Sequence, residues 1–227
     1  RGGTLLCQEA VALANEVPVG ATDDKNALLA ALSNALFILR RYVEYYQQQH
    51  VDHPELLLPI INELRESRKE KPYPDSCFFD VDGKRRPNFC VSLNLAPLGQ
   101  GDDKAYEVNA RRFRHMFQVG LLEILRDRDV EIGKKLLAHA STGFARLCAA
   151  APMGQVWCLL NVVAEAMQDR TMGFEKPRKR LLMRLEKYAR EVVYVGRIAT
   201  TKEVPDSVYR ELVYILFRSG SANPEVV

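Results

Sequence analysis

Four histidines, and the acidic and basic residues near them, are the groups in this chain whose spacing could do chemistry. His139 is followed by Ala140, Ser141, Thr142 and Gly143. A helix-borne phosphotransfer site needs an exposed imidazole with a lysine and a glycine in the next turn. The lysine neutralises the phosphoryl group and the glycine lets a response regulator come close. Gly143 stands at the glycine spacing, but Thr142 holds the lysine position and Ser141 replaces an apolar residue. His139 is therefore read either as a phosphoacceptor or, in better keeping with the missing lysine, as a histidine flanking the apolar stripe of its helix. His115 lies between Phe113 and Phe117, so on a helix it points away from their apolar face. With Arg111, Arg112 and Arg114 it makes a basic, solvated surface. His50, Asp52 and His53 fit no common zinc spacing, and three ligands at a helix break are too few. Asp52 or His53 is instead read as a cap for a helix beginning at Pro54. Asp80-Val81-Asp82-Gly83 opens like a calcium loop but lacks the later oxygen ligands, including the closing glutamate. No metal, nucleotide or other cofactor is expected.

The strongest charge cluster is Lys176, Arg178, Lys179, Arg180, Arg184, Lys187 and Arg190, relieved only by Glu175 and Glu186. At helical spacing Arg180, Arg184 and Lys187 share one face, opposite Leu181, Leu185 and Tyr188. Such a face is most simply solvated. If it binds something, an acidic protein fits better than nucleic acid, because stacking needs aromatics among the cations and Tyr188 belongs to the apolar stripe. Arg111 and Arg114 are the next candidates for the same role. A basic helical nucleic-acid module remains the alternative.

These residues sit on elements that the hydrophobic period predicts to be helices. A first helix runs from Thr4 to about Glu16, stopped by Pro18 and Gly20. Thr22, Asp23 and Asp24 offer caps for a long second helix with Leu28, Leu32, Leu36, Leu39, Val43 and Tyr46 as its stripe. Pro54 suits a first helical turn, and Pro59 should bend or reset the helix carrying Leu57, Ile60, Ile61 and Leu64. From about Lys71 to Asp102 the helical period gives way to prolines and glycines. Phe89, Val91, Leu93 and Leu95 alternate there, as in a strand or strap, and a hairpin about Asp82-Gly83 is conceivable.

Helices then return. Phe113, Phe117, Leu121 and Ile124 form one stripe, and Ile132, Leu136, Ala140, Gly143 and Leu147 another. Val156, Leu160, Val163 and Met167 follow Pro152. Leu181, Leu185, Tyr188, Val192 and Val195 come next, then Val208, Leu212, Ile215 and Leu216 after Asp206 as cap. Short connections make neighbouring helices antiparallel. Trp157, Phe113 and Phe117 should be core residues. The expected organisation is a helical segment over 1–70, an extended linker or strap over 71–102, a helical bundle over 103–220 and a tail over 221–227.

Composition agrees with a globular chain: 227 residues, 47% hydrophobic and 27% charged. A chain this long can bury roughly 70% of its unfolded surface. No apolar run approaches the ~18 residues that span a bilayer, so no membrane insertion is expected. The net charge of +3 is too mild to demand nucleic acid as a partner. Five cysteines with no C-x-x-C pair read as unpaired thiols in a reducing cytoplasm, with Cys7, Cys148 and Cys158 acting as small hydrophobes. Arg1-Gly2-Gly3 and the trailing Pro224-Glu225-Val226-Val227 read as cut ends of a longer protein.

Several segments, in order, resemble the FimL scaffold family of type IV pilus systems: 28–42 (LLAALSNALFILRRY), 54–65 (PELLLPIINELR), 110–122 (ARRFRHMFQVGLL) and 177–190 (PRKRLLMRLEKYAR). Arg146-Leu147-Cys148, Trp157-Cys158 and Glu165-Ala166 fit the same pattern. The chain is more loosely similar to the N-terminal region of the pilus chemosensory kinase ChpA. The resemblance implies an all-α fold of bundles like histidine-phosphotransfer domains, with no phosphorylatable histidine and no catalytic residues. Residues from about Asp103 would form a second such bundle, and Arg1 would lie late in a first. It also implies a non-enzymatic scaffold in twitching motility and its cyclic-AMP control. The implied partners are a CheY-like response regulator of the PilG type and the polar hub protein FimV, and the implied location is cytoplasmic, recruited to the poles.

Overall fold

The computed structural model describes residues 1–16, 25–80, 90, 93, 95–99, 101–149, 151–168 and 174–219. The described elements are helical, with no strand among them, and they fall into two compact units, Arg1–Phe79 and Asp80–Val227. None of the described helices is long and apolar enough to cross a membrane.

The first unit packs α1 (Gly2–Glu16), α2 (Lys25–Gln49) and α3 (Leu58–Ser67), the last entered through a single tight turn at Pro54–Leu57. Pro59 falls in the first turn of α3, where its missing N–H is harmless, so it resets the helix as its chemistry dictates. Leu6 and Leu13 of α1 meet Leu28, Ala31 and Ala35 of α2 and Ile60, Ile61 and Leu64 of α3. Beside this core the buried Glu9 carboxylate is gripped by Arg65 at 2.7 Å and by Arg68, and accepts from the Tyr73 hydroxyl at 3.1 Å. Burying that charge is tolerable because two guanidinium groups meet it.

The stripe expected on α2 holds only in part. Leu36 is 62% exposed, and Val43 and Tyr46 are exposed too. The face turned to the core is Leu28, Ala31 and Ala35, continued by the half-buried Ile38, Leu39 and Tyr42, so Ala35 rather than Leu36 points inward. The expected caps at Thr22, Asp23 and Asp24 lie outside the described residues. His53 does occupy the N-cap position before Pro54, but no side chain caps that turn. Asp52 instead accepts from the Tyr42 hydroxyl, and His53 Nδ1 lies 3.0 Å from Glu55.

The second unit is built around α4 (Asp103–Leu125), α5 (Val130–Leu147), α6 (Pro152–Gln168), α7 (Lys176–Tyr194), the short α8 (Arg197–Thr200) and α9 (Asp206–Ser219). Asp102 caps α4 by accepting from the Ala105 N–H at 3.0 Å. Tyr106, Ala110, Phe113, Phe117, Leu121 and Ile124 then recur at threes and fours and are buried. Phe117 meets Trp157 edge to face at 6.0 Å, and Phe144 stacks on Trp157 at 4.5 Å. The three predicted core aromatics are indeed buried. α4 and α5 cross very closely: a Cβ on Gly120 would meet the Gly133 carbonyl oxygen at 2.9 Å.

Two stripes hold in part. On α5 Ala140, Gly143 and Leu147 are buried as expected and Leu136 is half-buried, but Ile132 is exposed, and Gly133, Leu137, Ser141 and Phe144 join the buried face. Gly133 is buried there because it meets Gly120 of α4. Val195 lies beyond the end of α7 and is exposed, because Gly196 at φ 77° turns the chain into α8.

The 71–102 segment serves both units by its ends. Tyr73 and Phe78 pack on the first core. Cys90, Leu93, Leu95 and Leu98 pack on the second, where the Leu98 N–H donates to the Arg146 carbonyl at 3.0 Å. The expected hairpin about Asp82-Gly83, with Phe89 and Val91, lies outside the described residues, as do the later positions of the calcium-like motif and the tail 221–227. One cysteine expectation is corrected. Cys90 and Cys158 form a disulfide across 68 residues, a pairing that sequence spacing alone cannot reveal. Cys7, Cys77 and Cys148 form no disulfide.

Candidate partner-binding groove

Two helices carry most of the basic residues singled out above, and the fold places them side by side. α4 and α7 run antiparallel, fixed by Lys179–Asp127 at one end, Arg114–Glu186 midway and Arg197–Asp103 at the other. Their faces away from the core bound an open groove of about 610 Å³. His115, Val119 and Leu122 line it from α4; Met183, Lys187 and Arg190 line it from α7.

The groove contains one acidic side chain, and that group is fully engaged. Glu186 receives Arg114 Nη2 at 2.8 Å, Gln118 Nε2 at 3.0 Å and Arg190 Nη2 at 3.0 Å. Burial alone would raise the Glu186 pKa, but hydrogen bonds from Arg114 and Arg190 outweigh it and hold the carboxyl below its ordinary value. The ion pair therefore fixes α4 against α7 and leaves no free negative charge between them. Lys187, His115 and Arg112 are exposed and make no hydrogen bond or ion pair among the described residues. Beside them Leu122 and Met183 are 44% and 43% exposed.

The residues proposed from sequence are thereby sorted. Lys187 lies in the groove with its charge available. Arg114 is mostly buried, bound to Glu186 and set over the Tyr194 ring at 5.4 Å. Arg111 sits on the exposed face of α4 with Glu107 at 3.6 Å. Arg180 is exposed. Arg184 points instead at α9, pairing with the buried Glu211 and donating to Ser207 Oγ at 2.9 Å. Sequence reasoning missed Leu122 and Met183. Each follows a buried core residue, Leu121 and Leu182, and hydrophobic pattern alone does not show which member of such a pair turns outward.

His139 is exposed on α5 and does not line the groove. The residues around it are committed to packing. A Cβ on Gly143 would run into the Phe113 ring, so this glycine admits a core aromatic. The Thr142 hydroxyl donates to Ala138 O at 2.9 Å and lies 3.0 Å from Asn161 Oδ1. Among the described residues no three His, Cys, Asp or Glu side chains are grouped to hold a metal.

Comparison with known proteins agrees with this architecture. The family model for the FimL scaffold protein second domain matches residues 102–227, a range that takes in α4 to α9. The chain is also 31% identical, over 225 residues, to scaffold protein FimL of Pseudomonas aeruginosa. The match takes in 98% of this chain but 38% of that protein. No solved structure matches.

Proposed function

The chain belongs to the FimL scaffold protein family, and from that membership we propose that it is a non-catalytic adaptor in type IV pilus chemosensory signalling. In this reading it serves twitching motility and its cyclic-AMP control by holding a CheY-like response regulator of the PilG type and the polar hub protein FimV. It works in the cytoplasm and reaches the poles through those partners. The observation that carries the reading, beyond the family itself, is the α4–α7 face. It keeps unpaired cations while its single carboxylate is neutralised, which suits an acidic partner. Charge of this kind steers encounter more than it adds affinity.

Binding of the chain to a PilG-type regulator and to FimV, followed by calorimetry at low and moderate salt, tests the proposal. Saturable binding to the regulator that weakens in Lys187→Glu is the expected result. No binding to either protein would overturn it. The phosphotransfer alternative predicts an acid-labile phosphohistidine at His139 after incubation with phosphorylated regulator. The packing of Gly143 and Thr142 argues against that outcome.

A further inference from the structure

We infer that the α4–α7 groove is a seat for an acidic amphipathic helix of a partner protein, an inference that rests on the adaptor reading and specifies its contact. The argument starts from shape. A channel between two antiparallel helices accepts a third helix by ordinary ridge-into-groove packing. His115–Leu122 and Met183–Arg190 each span about 10 Å of helix axis, so the groove matches about two turns of an incoming helix.

Its floor and rims have different chemistry. Val119, Leu122 and Met183 supply an apolar strip, and Leu122 and Met183 are each more than two-fifths exposed. Methionine in such a place adapts to varied apolar side chains. Lys187 and Arg190 stand on the α7 side, and His115 on the α4 side. Glu186 would repel an acidic ligand were it free, but Arg114, Arg190 and Gln118 hold it. An apolar strip beside a cationic rim complements a helix with one apolar stripe flanked by carboxylates.

Nucleic acid fits this surface less well. Tyr106, Phe113 and Phe117 of α4 are buried, and no Phe, Tyr or Trp lines the groove, so bases find no broad aromatic platform there.

The probe is a fluorescently labelled helical peptide of about 18 residues, a length near five turns, with leucines at i, i+4, i+7 and i+11 and glutamates beside them. Its control has the same composition in a scrambled order that destroys the stripe. Anisotropy titrations of the chain should show the amphipathic peptide binding at least about tenfold tighter than the scramble, and Leu122→Glu and Met183→Glu should each remove at least that factor. Both positions are exposed, and unchanged melting curves will show that neither variant unfolds. Equal binding of peptide and scramble would reduce the surface to bare charge and overturn the inference. So would failure of the peptide to bind, unchanged affinity in both variants, or equal competition by single-stranded DNA. The broader reading is separable. If a PilG-type regulator binds and is weakened by Lys187→Glu but not by Leu122→Glu or Met183→Glu, the adaptor role stands and the helix seat fails.

Discussion

Reversing Arg184 and Lys187 one at a time separates a basic face that packs from a basic face that waits for a partner. The two residues are one turn apart on α7, and sequence treats them alike. Their surroundings differ sharply. Arg184 is 38% exposed and pairs with a Glu211 carboxylate that is only 9% exposed. Removing one partner of a fully buried pair typically costs ~3–5 kcal/mol, whereas an exposed pair is worth ~0–1 kcal/mol. The half-exposed arginine places this pair between those limits, at about 2 kcal/mol. Arg184→Glu also sets a second carboxylate against Glu211, so the loss should not be smaller than that. Lys187 makes no contact to lose among the described residues, and Lys187→Glu should stay within ~0.5 kcal/mol of wild type. For a domain of this size each kcal/mol moves the melting temperature by roughly 2–4 °C, so Arg184→Glu should melt about 4–8 °C lower. Thermal melts followed by far-UV circular dichroism, with Arg184→Glu/Glu211→Gln as a partial rescue, read this directly. Identical melting of both single variants and wild type would refute the reasoning. It would mean that the α7–α9 ion pair does not exist in solution.

Phe117→Ala should lose ~3–5 kcal/mol, since it empties a fully buried site and removes an edge-to-face contact with Trp157; an unchanged urea midpoint would contradict the packing. Gly143→Ala should destabilise by ~1–3 kcal/mol through collision with Phe113, and a neutral result would mean that the glycine is free for another purpose. Glu186 has a folded pKa below its ordinary value, so its contribution is complete above the unfolded pKa and disappears as pH falls through the folded one. The fall in stability on acidification should therefore be shallower in Glu186→Gln than in wild type, and parallel pH profiles would count against the network. Burial pushes the Cys148 thiol up to about 12, so thiol reagents should label exposed Cys7 rapidly and Cys148 only on unfolding. Rapid labelling of Cys148 in the native chain would show that α5 and α6 open there.

Much of this fold was legible because its helices bury one face at a regular period. α4 announced itself through Phe113, Phe117, Leu121 and Ile124, and α6 through Pro152 and the apolar residues after it. The failures have a common physical origin. Periodicity reports that a face is apolar, but not what covers it. On α2 the residues turned to the core include Ala31 and Ala35, while Leu36, Val43 and Tyr46 are exposed. The α5 stripe held at Ala140, Gly143 and Leu147 but missed Gly133, whose contact with Gly120 is invisible to a hydrophobic pattern in which glycine carries no weight. The Cys90–Cys158 bond was invisible for the same kind of reason, since only three dimensions bring those residues together. At the candidate site, the cations of α4 and α7 were identified from sequence. Their sorting into bound and unbound depended on Glu186 and Glu211, whose partners come from other helices.

That sorting bears on how a phosphotransfer-like bundle can serve as a scaffold. On α5, the positions that a transfer site would leave open are closed: Phe113 lies over Gly143, and Thr142 is tied to Ala138 and lies against Asn161. On α4 and α7 the opposite holds. Arg114 and Arg190 neutralise Glu186, and their neighbours His115, Arg112 and Lys187 are left without partners among the described residues. A rigid ion-paired base beneath unpaired surface charge keeps the two helices in fixed relation, so a partner need not pay to order them. In the proposed reading the recognition surface is the face of α4 and α7 rather than that of His139. A substitution at His139 should accordingly leave partner binding unchanged, whereas Lys187→Glu should weaken it. The reverse pattern, with His139→Ala abolishing binding and Lys187→Glu harmless, would return the functional face to α5.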